Sequence, residues 1–268
     1  MNALIYTNEY PPCNYGGAGV HVEYLTRELS KLSDVDVDVR AFGDQKTESN
    51  YPLKVKGYPI DTASFDAPQH LHAIFGSSQR AISYNTDGNE ADVVHCHTWY
   101  THLAGIMTKM NYGIPLVITA HSLEPLRPWK REQLQGGYDF SSWVEKSALE
   151  MADAVVAVSE GTKADLLKHF NVAPEKIHVI YNGIDTEEYK AVDPTPALNK
   201  FNLPKDKPFV LFVGRITRQK GIIHLVEAIK YMHEGYNVVL CAGAPDTQEI
   251  GAEMKAAVAE VSKARDGI

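Results

Sequence analysis

The chain has 268 residues, 44% of them hydrophobic and 22% charged, the composition of an ordinary soluble globular protein, with a formal net charge of −8. That acidic balance offers no global field to nucleic acid or to an anionic membrane surface, so any anion site must be local. No apolar run is long enough to cross a membrane and no basic-then-apolar leader opens the chain, so neither a transmembrane helix nor a signal peptide is expected. Cys13, Cys96 and Cys241 stand far apart without CxxC or zinc spacing, and read as reduced thiols of a cytoplasmic protein.

Ala3-Leu4-Ile5-Tyr6 predicts a short strand, followed by a loop carrying Pro11, Pro12, Gly16, Gly17 and Gly19. Val22, Leu25, Leu29 and Leu32 then recur at helical spacing. Val35, Val37 and Val39 alternate with Asp34, Asp36, Asp38 and Arg40, the pattern of a half-exposed strand. Residues 43–69 show no clear period, with one added strand at Leu53–Val55; a helix is expected over Leu71–Ser83. From Asp92 the alternation is regular: strand VVHCH, helix LAGIMTKM, strand PLVITA, a helix over Trp143–Met151, strand AVVAV, helix GTKADLLKHF with Ser159 as N-cap, strand IHVI. This βαβα order means a parallel sheet with helices on both faces.

Asn182-Gly183 is a turn, and residues 184–207 are polar with Pro194, Pro196 and Pro204, which reads as a linker. The pattern then restarts with a buried strand, FVLFV, ended by Gly214. A helix, the strand NVVLCAG and a helix from about Glu249 to Ala264 follow. The division expected is a complete first domain over 1–181, a linker over 182–207, and the start of a second domain over 208–268. The second has too few elements to bury a core of normal size.

Four stretches carry candidate chemistry. In LFVGRITRQKG, Arg215 and Lys220 lie between a strand end and a helix start, where open α/β sheets bind ligands and helix N-termini favour anions. Two cations there suit a diphosphate; the plain alternative is a solvated pair of surface charges. In YGGAGVH, glycines let backbone N–H groups approach an anion. The match to a dinucleotide fingerprint is poor, because Val22 stands where a third glycine belongs. In HCHTWY, His95 and His97 share one face of a strand end. No third ligand sits at neighbouring spacing, so polar groups facing a cleft are expected there rather than a metal. After PLVITA, His121 lies at the same carboxyl edge, followed by Glu124 and a cationic group of Arg127, Lys130 and Arg131 around Trp129. A solvated loop is the plain reading of that group. The spacing of Glu124 and Glu132 is chance, since Pro125 and Pro128 keep them off one helix face.

Taken in order, YPPxxYGGAGVH, HTWY, TAHSLEPLRPWK, SSWVEK, VSEGT, NGID and VGRITRQKG resemble the family 4 retaining glycosyltransferases of GT-B fold. The similarity is greatest to the actinobacterial-type glycogen synthase and α-maltose-1-phosphate synthase branch. It covers essentially the whole chain. The resemblance implies an α/β protein of GT-B type, with a Rossmann-like acceptor domain followed by a nucleotide-sugar domain. It implies that Arg215 and Lys220 hold the donor diphosphate, that Gly16 and Gly17 approach the donor, that His121 lies beside the anomeric centre, and that Asn182 lies near sugar and acceptor. Other bacterial glycogen synthases carry K-x-G-G-L in the first loop and Asp where this chain has Thr98, a departure that fits the actinobacterial branch. The family's E-x7-E motif lies beyond the last residue here, so the second domain reads as incomplete and the fragment as inactive.

The expected reaction is transfer of glucose from ADP-glucose, or UDP-glucose, to an α-1,4-glucan or glucose 1-phosphate, with no cofactor or metal. Arg127, Lys130 and Arg131 are expected to bind a phosphorylated acceptor, with Trp129 stacking on its ring. No nucleic-acid or membrane partner is expected; a homodimer is compatible with the sequence. Two other readings stay open: a non-catalytic sugar or phosphosugar binding module, and a nicotinamide-dependent oxidoreductase.

Overall fold

The computed structural model describes residues 1–45, 51–203, 207–233, 235–243 and 245–264. The readings made for Pro204 and for residues 265–268 fall outside these. The chain divides into two units, Met1–Gly183 and Ile184–Ile268.

The first unit runs β1 (Asn2–Thr7), α1 (Gly17–Leu29), β2 (Asp36–Phe42), β3 (Lys54–Tyr58), α2 (His72–Thr86), β4 (Val93–His97), α3 (Trp99–Tyr112), β5 (Leu116–Ala120), α4 (Lys130–Leu134), α5 (Gly136–Met151), β6 (Ala154–Ala157), α6 (Glu160–His169) and β7 (Ile177–Val179). Its seven strands form one parallel sheet in the order β3-β2-β1-β4-β5-β6-β7. Because both faces are covered, the central strands are mostly apolar, with polar side chains towards the carboxyl ends of β4 and β5. Leu4 and Tyr6 of β1 point into one core with Cys96, Leu116, Ile118 and Leu149. Ala3 and Ile5 point into the other with Val22, Val37, Val39 and Val55.

The element ends differ from the sequence reading in ways that local chemistry explains. α5 begins seven residues before Trp143, at Gly136. Its first turns bury Gly137, Tyr138 and Ser141, so no exposed apolar period marks them. Ser159 does cap α6, accepting from the Thr162 backbone N–H at 3.0 Å. Leu32, placed on the first helix by spacing, lies beyond its end and is exposed. Arg40 is buried, with its guanidinium on the carbonyls of Tyr84 and Gly88 at the end of α2.

The second unit holds α7 (Thr195–Lys200), β8 (Phe209–Arg215), α8 (Ile222–Ala228), β9 (Asn237–Gly243) and α9 (Gln248–Ala264). β8 and β9 pair in parallel, and α8 and α9 contribute to a core of Ile222, Val226, Ile229, Val238, Met254 and Val261. Two expectations are corrected here. The linker is not wholly irregular, since Thr195–Lys200 is helical. The strand FVLFV is covered on one face only: Leu211 and Val213 are exposed while Phe212 packs inward, and the strand continues through Gly214 to Arg215. A run of apolar residues fixes a strand but does not say which of its faces is covered.

A two-stranded ladder with one bare apolar face has little to hold its hydrogen bonds closed. Amides of β8 and β9 are therefore expected to exchange with solvent well before those of β1 and β4, as read by hydrogen-exchange mass spectrometry. Equal protection in the two units would contradict this.

Candidate functional site

The sheet order reverses between β1 and β4: the chain proceeds outward from β1 to β3, then returns to start β4 on the other side of β1. Ligands bind outside the carboxyl ends of strands at such a switch point. Tyr6 of β1 pairs with Cys96 of β4, and His97 of β4 with Thr119 of β5. The loop after β1, the last residue of β4 and the first residue after β5 thus meet at one edge.

Four histidines gather there. His97 is fully buried, and its Nδ1 lies 3.0 Å from His121 Nε2. The His21 ring, from the second turn of α1, stands 4.8 Å from that of His121 and 5.6 Å from that of His97 between centroids. His95 hydrogen-bonds through Nε2 to Thr119 Oγ1 at 2.7 Å. The side chain of Asn182 hydrogen-bonds to His21, which brings the NGID segment to the same cluster. Thr98, next to His97, caps α3 in a left-handed conformation with φ +66°, and its hydroxyl donates to Asn8 Oδ1 at 2.7 Å. A threonine in this region is strained, and such strain persists only where its surroundings fix it.

Burial keeps these rings neutral. It lowers His121 to about 3, helped by the neighbouring His21 and His95, and lowers His95 to about 4. It also holds His97 well below 6.5 and His21 below it. Behind them on α3, His102 is buried, lowered by burial to about 3, with neither ring nitrogen partnered among the described residues. At neutral pH His121 is therefore a neutral hydrogen-bonding group, not a cation.

The glycine loop is already occupied by an anion from this chain. The backbone N–H groups of Tyr15 and Gly16 donate to Glu9 Oε2 at 3.0 and 2.6 Å. A Cβ on Gly19 would stand 2.8 Å from Glu9 Cβ, so only glycine lets α1 close on that side chain. Gly17, the first residue of α1, has open space where a Cβ would be. Glu9 was not singled out from the sequence; an acidic residue six and seven positions before two loop amides is the signal that could have shown it.

The segment after His121 is fixed by a buried polar network centred on Glu124. Its carboxylate accepts from Lys130 Nζ at 3.2 Å and from Ser141 Oγ at 2.9 Å. Its backbone N–H donates to Glu145 Oε2 at 2.7 Å, and its carbonyl accepts from Tyr138 Oη at 2.6 Å. Burial pushes Glu145 up to about 8 and draws Lys130 down. This corrects the expectation that Arg127, Lys130 and Arg131 form one open phosphate-binding group. Lys130 is buried on Glu124, and exposed Arg131 is held bidentately by Asp139 at 3.0 and 2.5 Å. Arg127 alone stays half-buried near the edge, 3.6 Å from Glu124 and bonded to Ser122 Oγ at 3.1 Å. The sequence could not show that Arg127 and Lys130 share Glu124 while Arg131 pairs with Asp139.

In the second unit, Arg215 is the last residue of β8 and lies 3.3 Å from Asp246 Oδ1. Lys220 ends the short turn Arg218–Lys220, exposed, its N–H accepted by the Thr217 hydroxyl at 3.1 Å. Gly221 follows with φ +63°, a conformation that glycine adopts without strain. A separate cavity of about 860 Å³, lined by Asn2, Asp36, Asp38, Lys54 and Glu90, opens at the opposite, amino-terminal edge of the first sheet, and none of the expected site residues lines it.

A Rossmann-like unit with a parallel sheet, followed by a second parallel α/β unit, is the architecture of the GT-B glycosyltransferases. Sucrose-phosphate synthase from Thermosynechococcus elongatus superposes with a TM-score of 0.72 at 20% identity, over 98% of this chain and 67% of that one. The catalytic domain of starch synthase IV from Arabidopsis thaliana, bound to ADP and acarbose, gives a TM-score of 0.67 at 17% identity, over 100% and 73%. In sequence, the alpha-maltose-1-phosphate synthase of Mycolicibacterium smegmatis is 44% identical over 100% of this chain and 67% of its own length. Residues 15–188 match the family described as Glycosyltransferase Family 4, and the chain belongs to that family. It spans about two thirds of the length of these relatives.

Two outcomes follow from the buried groups. His21, His95, His97, His102 and His121 each have a folded-state value below the ordinary 6.5, so the unfolded chain takes up protons first as pH falls. Stability should be full above pH 6.5 and be lost on acidification towards the folded values, by about 1.4 kcal/mol per pH unit for each such histidine. Glu145, raised in the folded state, opposes this by one proton over part of that range. Denaturant midpoints measured from pH 7 to 4.5 should fall, and His102→Phe should flatten the fall by one histidine's share; an unchanged slope would mean that His102 does not titrate as described.

Lys130→Ala leaves buried Glu124 without its nearer cation, with only Arg127 at 3.6 Å. It is expected to destabilise the first unit by about 3–5 kcal/mol, measured by chemical denaturation. Arg131→Ala, at an exposed pair, is expected to change stability by less than about 1 kcal/mol.

Proposed function

We propose that this chain is the acceptor-side unit and part of the donor-side unit of a retaining glucosyltransferase. The reaction moves glucose from ADP-glucose, or UDP-glucose, to glucose 1-phosphate or an α-1,4-glucan. The observation that carries it is the neutral His121 at the switch point, packed against His21 and His97 with Asn182 alongside. The whole-chain likeness to an alpha-maltose-1-phosphate synthase supports a phosphosugar acceptor over a neutral polymer alone.

Retention fits a front-face transfer. The bond from the anomeric carbon to the donor phosphate breaks as the bond to the acceptor oxygen forms on the same face. The acceptor hydroxyl proton passes to the departing diphosphate. Positive charge develops at the sugar, and a neutral imidazole can hydrogen-bond beside it where an imidazolium would oppose it. Negative charge develops on the leaving diphosphate, and Arg215 and Lys220 are the cations proposed to stabilise it. The donor's approach to Gly17 uses the open space at the start of α1, and its phosphates compete with Glu9 for the amides of Tyr15 and Gly16. Of the three cations first assigned to the acceptor, Arg127 keeps that role, since its guanidinium lies closest in sequence to His121 and is not committed to a bidentate carboxylate pair.

The test is an assay of the full-length enzyme with ADP-glucose and UDP-glucose against glucose 1-phosphate and glycogen. Arg215→Ala and Lys220→Ala are each expected to lower turnover by about 10²–10³. Arg127→Ala is expected to raise KM for glucose 1-phosphate and spare glycogen, while Arg131→Ala changes neither. Equal loss on both acceptors would assign Arg127 to the loop's structure. Binding of phosphosugar without release of nucleoside diphosphate would return the reading to a binding module.

A further inference from the structure

The three imidazoles of His21, His97 and His121 make a constellation that glucosyl transfer does not require. They arrive from α1, from the end of β4 and from the first residue after β5. One ligand nitrogen of each lies within 4.8 Å of the others, the one such group of three or more His, Cys, Asp or Glu among the described residues. The sequence reading passed over His97 for want of a third ligand at neighbouring spacing; the fold supplies two ligands, from 76 and 24 residues away.

The distances suit a shared ion. Zinc–nitrogen bonds of about 2.0–2.1 Å at tetrahedral angles set ring centres roughly 5 Å apart. The three centroid separations are 4.8, 5.3 and 5.6 Å. His97 is fully buried, and the nitrogen it turns to the cluster, Nδ1, already stands 3.0 Å from His121 Nε2. His21 is hydrogen-bonded to the side chain of Asn182, an amide to which a ligand imidazole can donate its other ring N–H. An all-nitrogen donor set favours zinc, copper, nickel or cobalt over magnesium, calcium or manganese.

We propose that His21, His97 and His121 bind one divalent ion of the zinc class, with a fourth position open to water. The ion replaces the hydrogen bond between His97 and His121. Its effect on catalysis rests on the function proposed above: an ion on His121 withdraws that imidazole from the sugar, so zinc is a reversible inhibitor and not a cofactor.

Binding can be read without turnover. Cobalt(II) added to the metal-free 268-residue chain is expected to give the intense visible bands of a tetrahedral nitrogen site, lost on adding one equivalent of zinc. His21→Gln should weaken zinc at least about 100-fold, beyond what loss of an orienting neighbour alone costs. His224→Gln, at an exposed histidine of α8, should leave it unchanged. X-ray absorption at the zinc edge of the unaltered chain covers the case in which His21→Gln does not fold: a shell of three imidazoles supports the site. Absence of binding, a weak octahedral cobalt spectrum, thiolate bands, a sulfur or all-oxygen shell, or equal loss in His224→Gln would overturn it. In the full-length enzyme, zinc at saturating concentration should abolish transfer and a chelator restore it. Binding without inhibition would keep the metal site and overturn the placement of His121 at the reacting sugar.

Discussion

Imidazoles taken out of water at one edge of a parallel sheet are the constraint on which the rest of the first unit depends. A buried ring can carry a proton only at the expense of its hydration, so His95, His97, His102 and His121 are held neutral across the physiological range. Holding them there takes the register of β1, β4 and β5, which puts His97 beside Thr119, two residues before His121. It also takes the Glu124 network, which ties the segment after His121 to α5 through Ser141, Tyr138 and Glu145. A site built this way is chemically neutral and held in place by the network around it.

Charge is handled close to home. Glu9 satisfies the loop amides, Glu124 neutralises Lys130, and Asp139 holds Arg131. Each pairing changes what its segment can offer a ligand. The helix start at Gly16 has its own carboxylate, which takes the amides of Tyr15 and Gly16. The segment from Arg127 to Arg131, basic in sequence, is nearly balanced once folded.

Much of the architecture was legible because buried parallel strands are written as short apolar runs between turn signals. VVHCH, LVITA and AVVA stand in the structure where their pattern put them. Helix ends were less legible: the first turns of α5 bury Gly137 and Ser141, which carry no apolar period, and α4 is a single short turn. β8 was read as buried because a four-residue apolar run is the same on a covered face and a bare one. The site was half legible. His121, Asn182 and Gly17 follow from motif resemblance, but Glu9 and His102 belong to no motif and show themselves only by what they touch or fail to touch.

By itself the sequence determined the βα alternation, the family and the identity of the residues at the strand ends, because these are properties of local pattern and spacing. It could not determine which charges cancel, which histidines meet, or which face of a strand is covered. Those depend on groups brought together across the sheet from distant parts of the chain: His21 from α1 onto His121, Lys130 folded back onto Glu124, Asp139 onto Arg131. A pairwise electrostatic or coordination chemistry exists only at separations of a few ångströms, and only the tertiary structure sets those.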